Sequence, residues 1–263
     1  GNLLSVYWHA RGVAALAGTA FASLGFNESV LRFLPREVDP DPSLQNMSRL
    51  AGICSSCRAW QAAHPHACSG AWAAIRPQIQ QDTQAALRAF FRAEGEPLPA
   101  TEAGDVLVHL RLDVSHPQQR WPGRLSFTQG ALPEGTRRVR VLHQPYRPEH
   151  LRAAWARRGS GALGHVHRDD SMTHRLDDPA IARGFDTLLE GYKGLLRAIC
   201  GSGCEVTSET GSQAEDFAKL ASAPVVFCTG SSFCLWAAMG NEVGEVHFPA
   251  AEGEGWAGPG PER

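Results

Sequence analysis

Three short segments combine residue types that can hold an anionic ligand and act on it. The first is Val108-His109-Leu110-Arg111-Leu112-Asp113. Side chains alternate along a strand with period two, so His109 and Arg111 share one face. The planar guanidinium of an arginine meets phosphate oxygens through two parallel hydrogen bonds. Two polar side chains projecting from an otherwise apolar strand are costly to bury unless something satisfies them. That partner is either a ligand or a structural ion pair with Asp113. The second segment runs from Pro224 to Phe233, an apolar stretch ending in Thr229-Gly230-Ser231-Ser232 where a helix should open. The N–H groups of a helix N-terminus favour an anion, serine hydroxyls add donors, and a diphosphate is a natural guest. The competing and commoner job for Ser231 is to cap the helix. The third segment, Glu209 to Phe217, places Asp216 in the first turns of a helix after a strand. Its carboxylate either accepts hydrogen bonds from a base edge or ribose hydroxyl, or simply complements the positive helix end.

The elements that must position these residues follow from periodicity. Residues 3–18 have helical apolar spacing (Leu4, Tyr7, Trp8, Val13, Leu16) with Gly18 as the stop, and a short strand is expected from Thr19. Residues 35–45 read as a loop from their Pro and Asp content. A long helix is predicted over 71–93, with Pro77 as a break point. Gly95 to Pro99 reads as a linker. Beyond it, 105–112 and 138–143 have the apolar content of buried strands. An amphipathic helix is predicted over 179–199, with Ile181, Phe185, Leu188, Leu189, Tyr192, Leu195 and Leu196 on one face. Strand 204–208, helix 213–222, strand 224–229, helix 231–239 and a strand near 246–248 complete the pattern. Residues 146–178 carry no clear assignment, and the Gly/Pro-rich tail 251–263 reads as disordered. Strand–helix alternation with short connections implies a parallel sheet covered on both faces, which binds ligands at the carboxyl ends of its strands.

Composition narrows the function classes. The chain has 263 residues, 43% hydrophobic and 20% charged, enough for one large or two medium α/β domains with a true core. The net charge is −2 and the basic residues are scattered, so neither nucleic acid nor a membrane surface is an expected partner. No apolar run is long enough to span a bilayer. The sequence opens on Gly1 inside a motif rather than on Met. The expectation is therefore a sequence beginning inside a longer protein, with any targeting segment or anchor upstream of it. Seven cysteines, with Cys200 close to Cys204 and Cys228 close to Cys234, and the sequons at Asn27 and Asn46 favour a secretory lumen over the cytosol. Cys54, Cys57, His64, His66 and Cys68 are ligand types, but structural zinc sites pair their ligands across a longer segment, and disulfides or free thiols are the default. His165, His167, Asp169, Asp170 and His174 read as a solvated loop, so no metal site is assigned. There is no GxSxG, HExxH or Walker loop, which removes the signatures of the common hydrolases and P-loop NTPases.

Taken in order, the segments resemble the fucosyltransferase superfamily that includes α1,2-, α1,6- and protein O-fucosyltransferases. Gly1-Asn2-Leu3-Leu4-Ser5-Val6-Tyr7-Trp8 is similar to its N-terminal loop-helix. His109-Leu110-Arg111 resembles its His-x-Arg strand. Glu215-Asp216-Phe217 followed by Cys228-Thr229-Gly230-Ser231-Ser232-Phe233 resembles its donor-binding end. Asp113 comes one residue earlier than the family's Gly-Asp, and Leu3 stands where Gln is usual. The resemblance implies an α/β, GT-B-like arrangement, two Rossmann-like domains with parallel sheets facing a cleft. Residues 1–103 would be the acceptor-side domain, cut short at its start, and 104–263 the donor domain. It implies an inverting, metal-independent glycosyltransferase, without a cofactor, that moves fucose from GDP-fucose to a glycan or protein hydroxyl, in the secretory lumen of the Golgi. Arg111 would stabilise the departing diphosphate, with Ser231 and Ser232 assisting, and His109 would position Arg111 or the diphosphate. Asp216 would bind ribose or guanine, Phe233 would support the turn, and Asn2 would approach the donor from the opposing domain. Asp113 is the nearest candidate base or, alternatively, the residue that holds Arg111. A nucleotide- or carbohydrate-binding protein on the same fold, without catalysis, is the competing reading, and a metal-dependent hydrolase built on the His/Cys clusters is a second rival.

Overall fold

The computed structural model describes residues 2–26, 29–43, 65–110, 132–149, 177–228 and 231–247; Asn2, Leu3, Ser5, Val6, residues 65–72 and Ser232 are described by backbone alone. Five strands form one parallel sheet: β3 (Asp105–Leu110), β4 (Arg138–His143), β5 (Glu205–Glu209), β6 (Val225–Cys228) and β7 (Glu245–His247). Their order across the sheet is β5-β4-β3-β6-β7. The chain starts at the centre, runs outward to β5, returns to the centre and runs outward the other way. Counted from β3, this is strand order 3-2-1-4-5, the doubly wound arrangement whose ligands bind where the order reverses. That reversal lies between β3 and β6. The central strand β3 is buried on both faces, with Val106, Leu107, Val108 and Leu110 at most 1% exposed, as parallel sheets require.

One face of the sheet is covered by α3 (Pro179–Cys200), which connects β4 to β5. Asp178 caps it by accepting from the Ala180 amide at 2.8 Å, and Pro179 takes the first helical position, where no N–H is needed. Phe185, Tyr192 and Leu196 pack onto Val106, Val108, Val139, Val141 and Val206. Leu188 and Leu195, expected on the same face, are 44% and 38% exposed. They flank the strip a helix can press against a sheet, because the apolar stripe is wider than that strip.

The other face carries α4 (Gln213–Leu220) and α5 (Ser232–Met239), and also the N-terminal helices α1 (Asn2–Leu16) and α2 (Pro65–Glu94). Gly18, at φ 67°, closes α1 as its sequence position predicts. A ribbon of two short antiparallel strands, β1 (Phe21–Ala22) and β2 (Glu37–Val38), follows, with a 3-10 turn at Ser29–Phe33 between them. Helix α2 is longer than predicted and runs through Pro77. Pro77 and Ala73, whose carbonyl loses its partner, both lie on the exposed side, so water can take up the orphaned acceptor. Ile75 and Ile79 hold the helix to the core on either side of it.

The parallel sheet expected for residues 104–263 is present. Before residue 104 the described residues form helices and the antiparallel ribbon, so no second parallel sheet is found among them. A single hydrophobic cluster runs from Leu4, Trp8, Ile79 and Leu87 to Leu107, Val226 and Trp236, across the expected domain boundary. Among the described residues no helix is long and apolar enough to cross a membrane.

Candidate functional site

At the carboxyl edge of the sheet, β3 and β6 are immediate neighbours, with His109 in register with Cys228. Adjacent strands lie about 4.8 Å apart. The two strand ends that precede Arg111 and Thr229 therefore emerge side by side at the reversal of strand order. Arg111 and Asp113 themselves, and the Thr229-Gly230 pair, lie outside the described residues, as does the side chain of Asn2 at the start of α1.

Two helices begin near this edge, and their N-termini differ. Helix α4 is fully capped. Ser212 accepts from the Glu215 amide at 3.2 Å, and the Glu215 carboxylate accepts from the Ser212 amide at 2.7 Å. This reciprocal box satisfies two backbone donors at the helix start locally. Helix α5 is not capped in this way. Ser231 occupies the N-cap position in extended conformation, 6% exposed, and its side chain makes no capping hydrogen bond. The ordinary capping role open to Ser231 on sequence grounds is thus not the one it has. An uncapped helix N-terminus beside a strand-order reversal has donor capacity toward an anion. The side chain of Ser232 lies outside the description.

A chain of aromatic contacts ties the pieces together. The His109 imidazole lies 5.7 Å from the Phe233 ring, and Phe233 lies 5.6 Å from Phe217 in an edge arrangement. Phe233 therefore bridges the tip of β3, the first turn of α5 and the body of α4. Next to Phe217 stands Asp216, 7% exposed, whose Oδ1 is buried and has no hydrogen-bond partner among the described residues. Burial raises its carboxyl to about 6, against the lowering effects of Lys219 and the Gly211 backbone. A buried carboxylate with spare acceptor capacity is costly in a finished core and useful where a ligand brings donors.

Two further contributors stand at the site: the first escaped sequence reasoning, and of the second the sequence showed only two cysteines close together. A Cβ on Gly211 would sit 2.7 Å from Asp216 Oδ1, so a side chain there would push the carboxyl aside. The glycine stood in the motif, but its close approach is a tertiary fact. The second is a disulfide between Cys228, the last residue of β6, and Cys234, in the first turn of α5. Both are fully buried. Another disulfide, Cys200–Cys204, spans the turn from α3 to β5. Two such bonds are compatible with an oxidising, secretory-type compartment. The clusters around Cys54 and His165 lie outside the described side chains, and among the described residues no group of His, Cys, Asp or Glu could hold a metal ion. A small crevice lined by Arg11, Phe21, Asp39 and Gln78 opens between α1, α2 and the ribbon and includes none of the strand-tip residues. Compared with protein-family models, with curated proteins and with solved structures, the chain matches none.

Proposed function

We propose that this chain is the catalytic part of a nucleotide-sugar-dependent glycosyltransferase of the fucosyltransferase kind, with GDP-fucose as donor and a glycan or protein hydroxyl as acceptor. The observation that carries the reading is the uncapped N-terminus of α5 at the β3/β6 reversal, with the buried Asp216 carboxyl on the neighbouring helix. A nucleoside diphosphate has the complementary parts. Its diphosphate suits the helix N-terminus, and its ribose or base offers donors to Asp216.

In this reading the donor half is the parallel sheet, α3, α4 and α5, and the N-terminal segment supplies the acceptor side of a GT-B-like arrangement in the Golgi lumen. Transfer inverts the anomeric carbon as the acceptor hydroxyl attacks and GDP departs. Charge grows on the β-phosphate as that bond breaks, and catalysis requires it to be stabilised as it forms. The α5 amides and Ser231 do this from one strand tip and Arg111 from the next, with His109 packed on Phe233 to fix the spacing. Asp113 either takes the acceptor proton or holds Arg111.

The test is a panel of nucleotides and nucleotide sugars read by thermal stabilisation. GDP and GDP-fucose should raise the melting temperature, whereas UDP-sugars and free fucose should not. Arg111→Ala should lower transfer on the order of 10²–10³-fold. A GDP response or a transfer rate untouched by that substitution would remove Arg111 from the site. Stabilisation by free sugar with no response to any nucleotide would favour a carbohydrate-binding module.

A further inference from the structure

Strand β5 is an edge of the sheet and is thinly anchored by packing. Among the described residues it pairs with β4 alone, and of its five residues only Val206 is buried. Attachments at its two ends do the rest. At its far end Glu209 accepts from Arg140 at 2.9 Å and from Lys219 at 2.8 Å. Just before its start stands Cys204, whose disulfide to Cys200, the last residue of α3, closes the exposed turn Gly201-Ser202-Gly203. The backbone bonds here are local. The Gly201 amide donates to the Arg197 carbonyl at 3.0 Å, the Cys204 amide to the Gly201 carbonyl at 3.4 Å, and the Glu205 amide to the Arg137 carbonyl at 3.0 Å. Nothing packs on the turn, since a Cβ built on Gly201 or Gly203 meets no atom within 4 Å. Two glycines give an untied turn wide backbone freedom.

The two bridges of the described chain differ in access. Cys228 and Cys234 are 0% exposed, whereas Cys200 and Cys204 are half-buried at the surface. A reductant therefore reaches Cys200–Cys204 without unfolding the chain. A bridge across so short a loop constrains the unfolded chain little, so its loss is felt where it sits. Phe185, Tyr192 and Leu196 hold α3 on the sheet whether the bridge is open or closed.

We propose that Cys200–Cys204 is a redox latch on the edge strand: closed, it seats the start of β5 against β4; open, it lets that start fray while Glu209 keeps the far end pinned. A dithiol opens the latch by attack of one thiolate on either sulfur, and its second thiol resolves the mixed disulfide. The protein gains two electrons and two protons as two thiols, and the reductant leaves as a cyclic disulfide. Fraying leaves the Arg137 carbonyl, at the entry to β4, as an unpaired edge group. Seating of β5 thereby depends on an oxidising environment.

The test treats the folded chain with a dithiol in the absence of denaturant. Alkylation and peptide mass analysis report each bridge, and amide hydrogen exchange is read before reduction, after it, after reoxidation, and in Cys200→Ser/Cys204→Ser. Cys200–Cys204 should open at least about tenfold faster than Cys228–Cys234. Exchange of the Gly201, Cys204 and Glu205 amides should rise about tenfold or more, while amides of β3 and β6 keep their rates. Reoxidation should restore the slow rates. Equal reduction of the two bridges, or exchange at those three amides within about twofold of the oxidised chain, overturns the latch. A rise that spreads to β3 and β6 makes the bridge a staple of the whole fold and overturns the local role, and protection that does not return on reoxidation overturns the switch. Should the double-serine variant fail to fold, the reduced parent, which starts folded, supplies the same readings. No nucleotide enters the test, so the latch stands or falls apart from the glycosyltransferase reading.

Discussion

Asp216 concentrates the conflict between stability and ligand binding at the scale of a single residue. Its raised carboxyl means that ionisation is easier in the unfolded chain than in the native one. Its contribution to stability is therefore complete below the ordinary value of 3.8 and is lost as pH rises through about 6. Asp216→Asn removes this penalty. The variant should be more stable than the parent at pH 7.5 by on the order of 1–2 kcal/mol, with the gain vanishing near pH 4. Denaturant midpoints at the two pH values check this, and the same variant should lose GDP-induced stabilisation. Asn241 shows the opposite design, a polar group with every partner supplied. Buried at 0% exposure, it donates to the carbonyls of Leu220 at 3.1 Å and Ala223 at 2.8 Å. It accepts from the amides of Val243 and Gly244 at 2.9 and 2.7 Å. Asn241→Ala orphans all four backbone groups and should cost about 2–4 kcal/mol in urea unfolding without a specific effect on ligand binding. The asparagine was not legible as a keystone from sequence, because its partners come from a helix end and two turns.

Between elements, the face of the sheet under α4 is tied by an ion ladder. Arg138 meets Asp105 with two hydrogen bonds, of 2.9 and 2.7 Å. Arg140 bridges Asp105 and Glu209, and Lys219 of α4 adds a bond of 2.8 Å to Glu209. These links run from β3 through β4 to β5 and then up to the helix. Hydrogen bonding from Arg140, joined by Lys219 and opposed by burial, pulls the Glu209 carboxyl down to about 2. Burial opposes ionisation of Asp105 as well, but Arg138 and its neighbours outweigh it and hold that group below its ordinary value. Depressed carboxyls stabilise the fold above their unfolded values and lose that contribution as pH falls through the folded ones. The protein should thus lose stability as pH falls from about 4.5 toward about 2, the interval set by Glu209. Glu209→Gln should flatten the urea midpoint against pH across that window; an unaltered acid slope would remove Glu209 from the ladder's pH response. The strands themselves were readable as apolar runs bounded by turn residues. The cross-strand pairing of Asp105 with Arg138 was not, since 32 residues of chain, mostly outside the described part, separate the two.

For the whole molecule, the decisive contact is between the first and last helices among the described residues. Trp8 of α1 and Trp236 of α5 lie 6.4 Å apart between ring centroids, both 1% exposed. Arg11 extends over Trp8 at 5.2 Å and pairs with Asp82 of α2. Helix α2 separately reaches the ends of α4 and α5 through Gln84, which donates to the carbonyls of Ala221 and Gly240. The close packing of Gly240 on Thr83 admits no Cβ there. The N-terminal part is thereby built onto the helix that opens the candidate site. Trp8→Ala should cost about 3–5 kcal/mol and should also weaken GDP binding, because it loosens the support behind α5. Calorimetric unfolding together with GDP titration at low temperature, where the variant stays folded, separates the two effects. A single cooperative transition in the parent should accompany them, since one apolar cluster spans both parts.

The sequence by itself determined the periodic elements. Apolar spacing places α1, α3, α4, α5 and all five strands of the parallel sheet within a few residues of their structural bounds, and Gly18 marks the end of α1 because local backbone chemistry acts over three or four residues. It also placed His109, Asp216, Ser231 and Phe233 beside strand ends. Tertiary structure alone decided that β3 and β6 are neighbours, that Ser231 leaves its helix uncapped, and that Asp216 is buried under Gly211. Each of those facts depends on which distant segments meet. Strand order and desolvation are properties of the packed whole, and no local pattern encodes them.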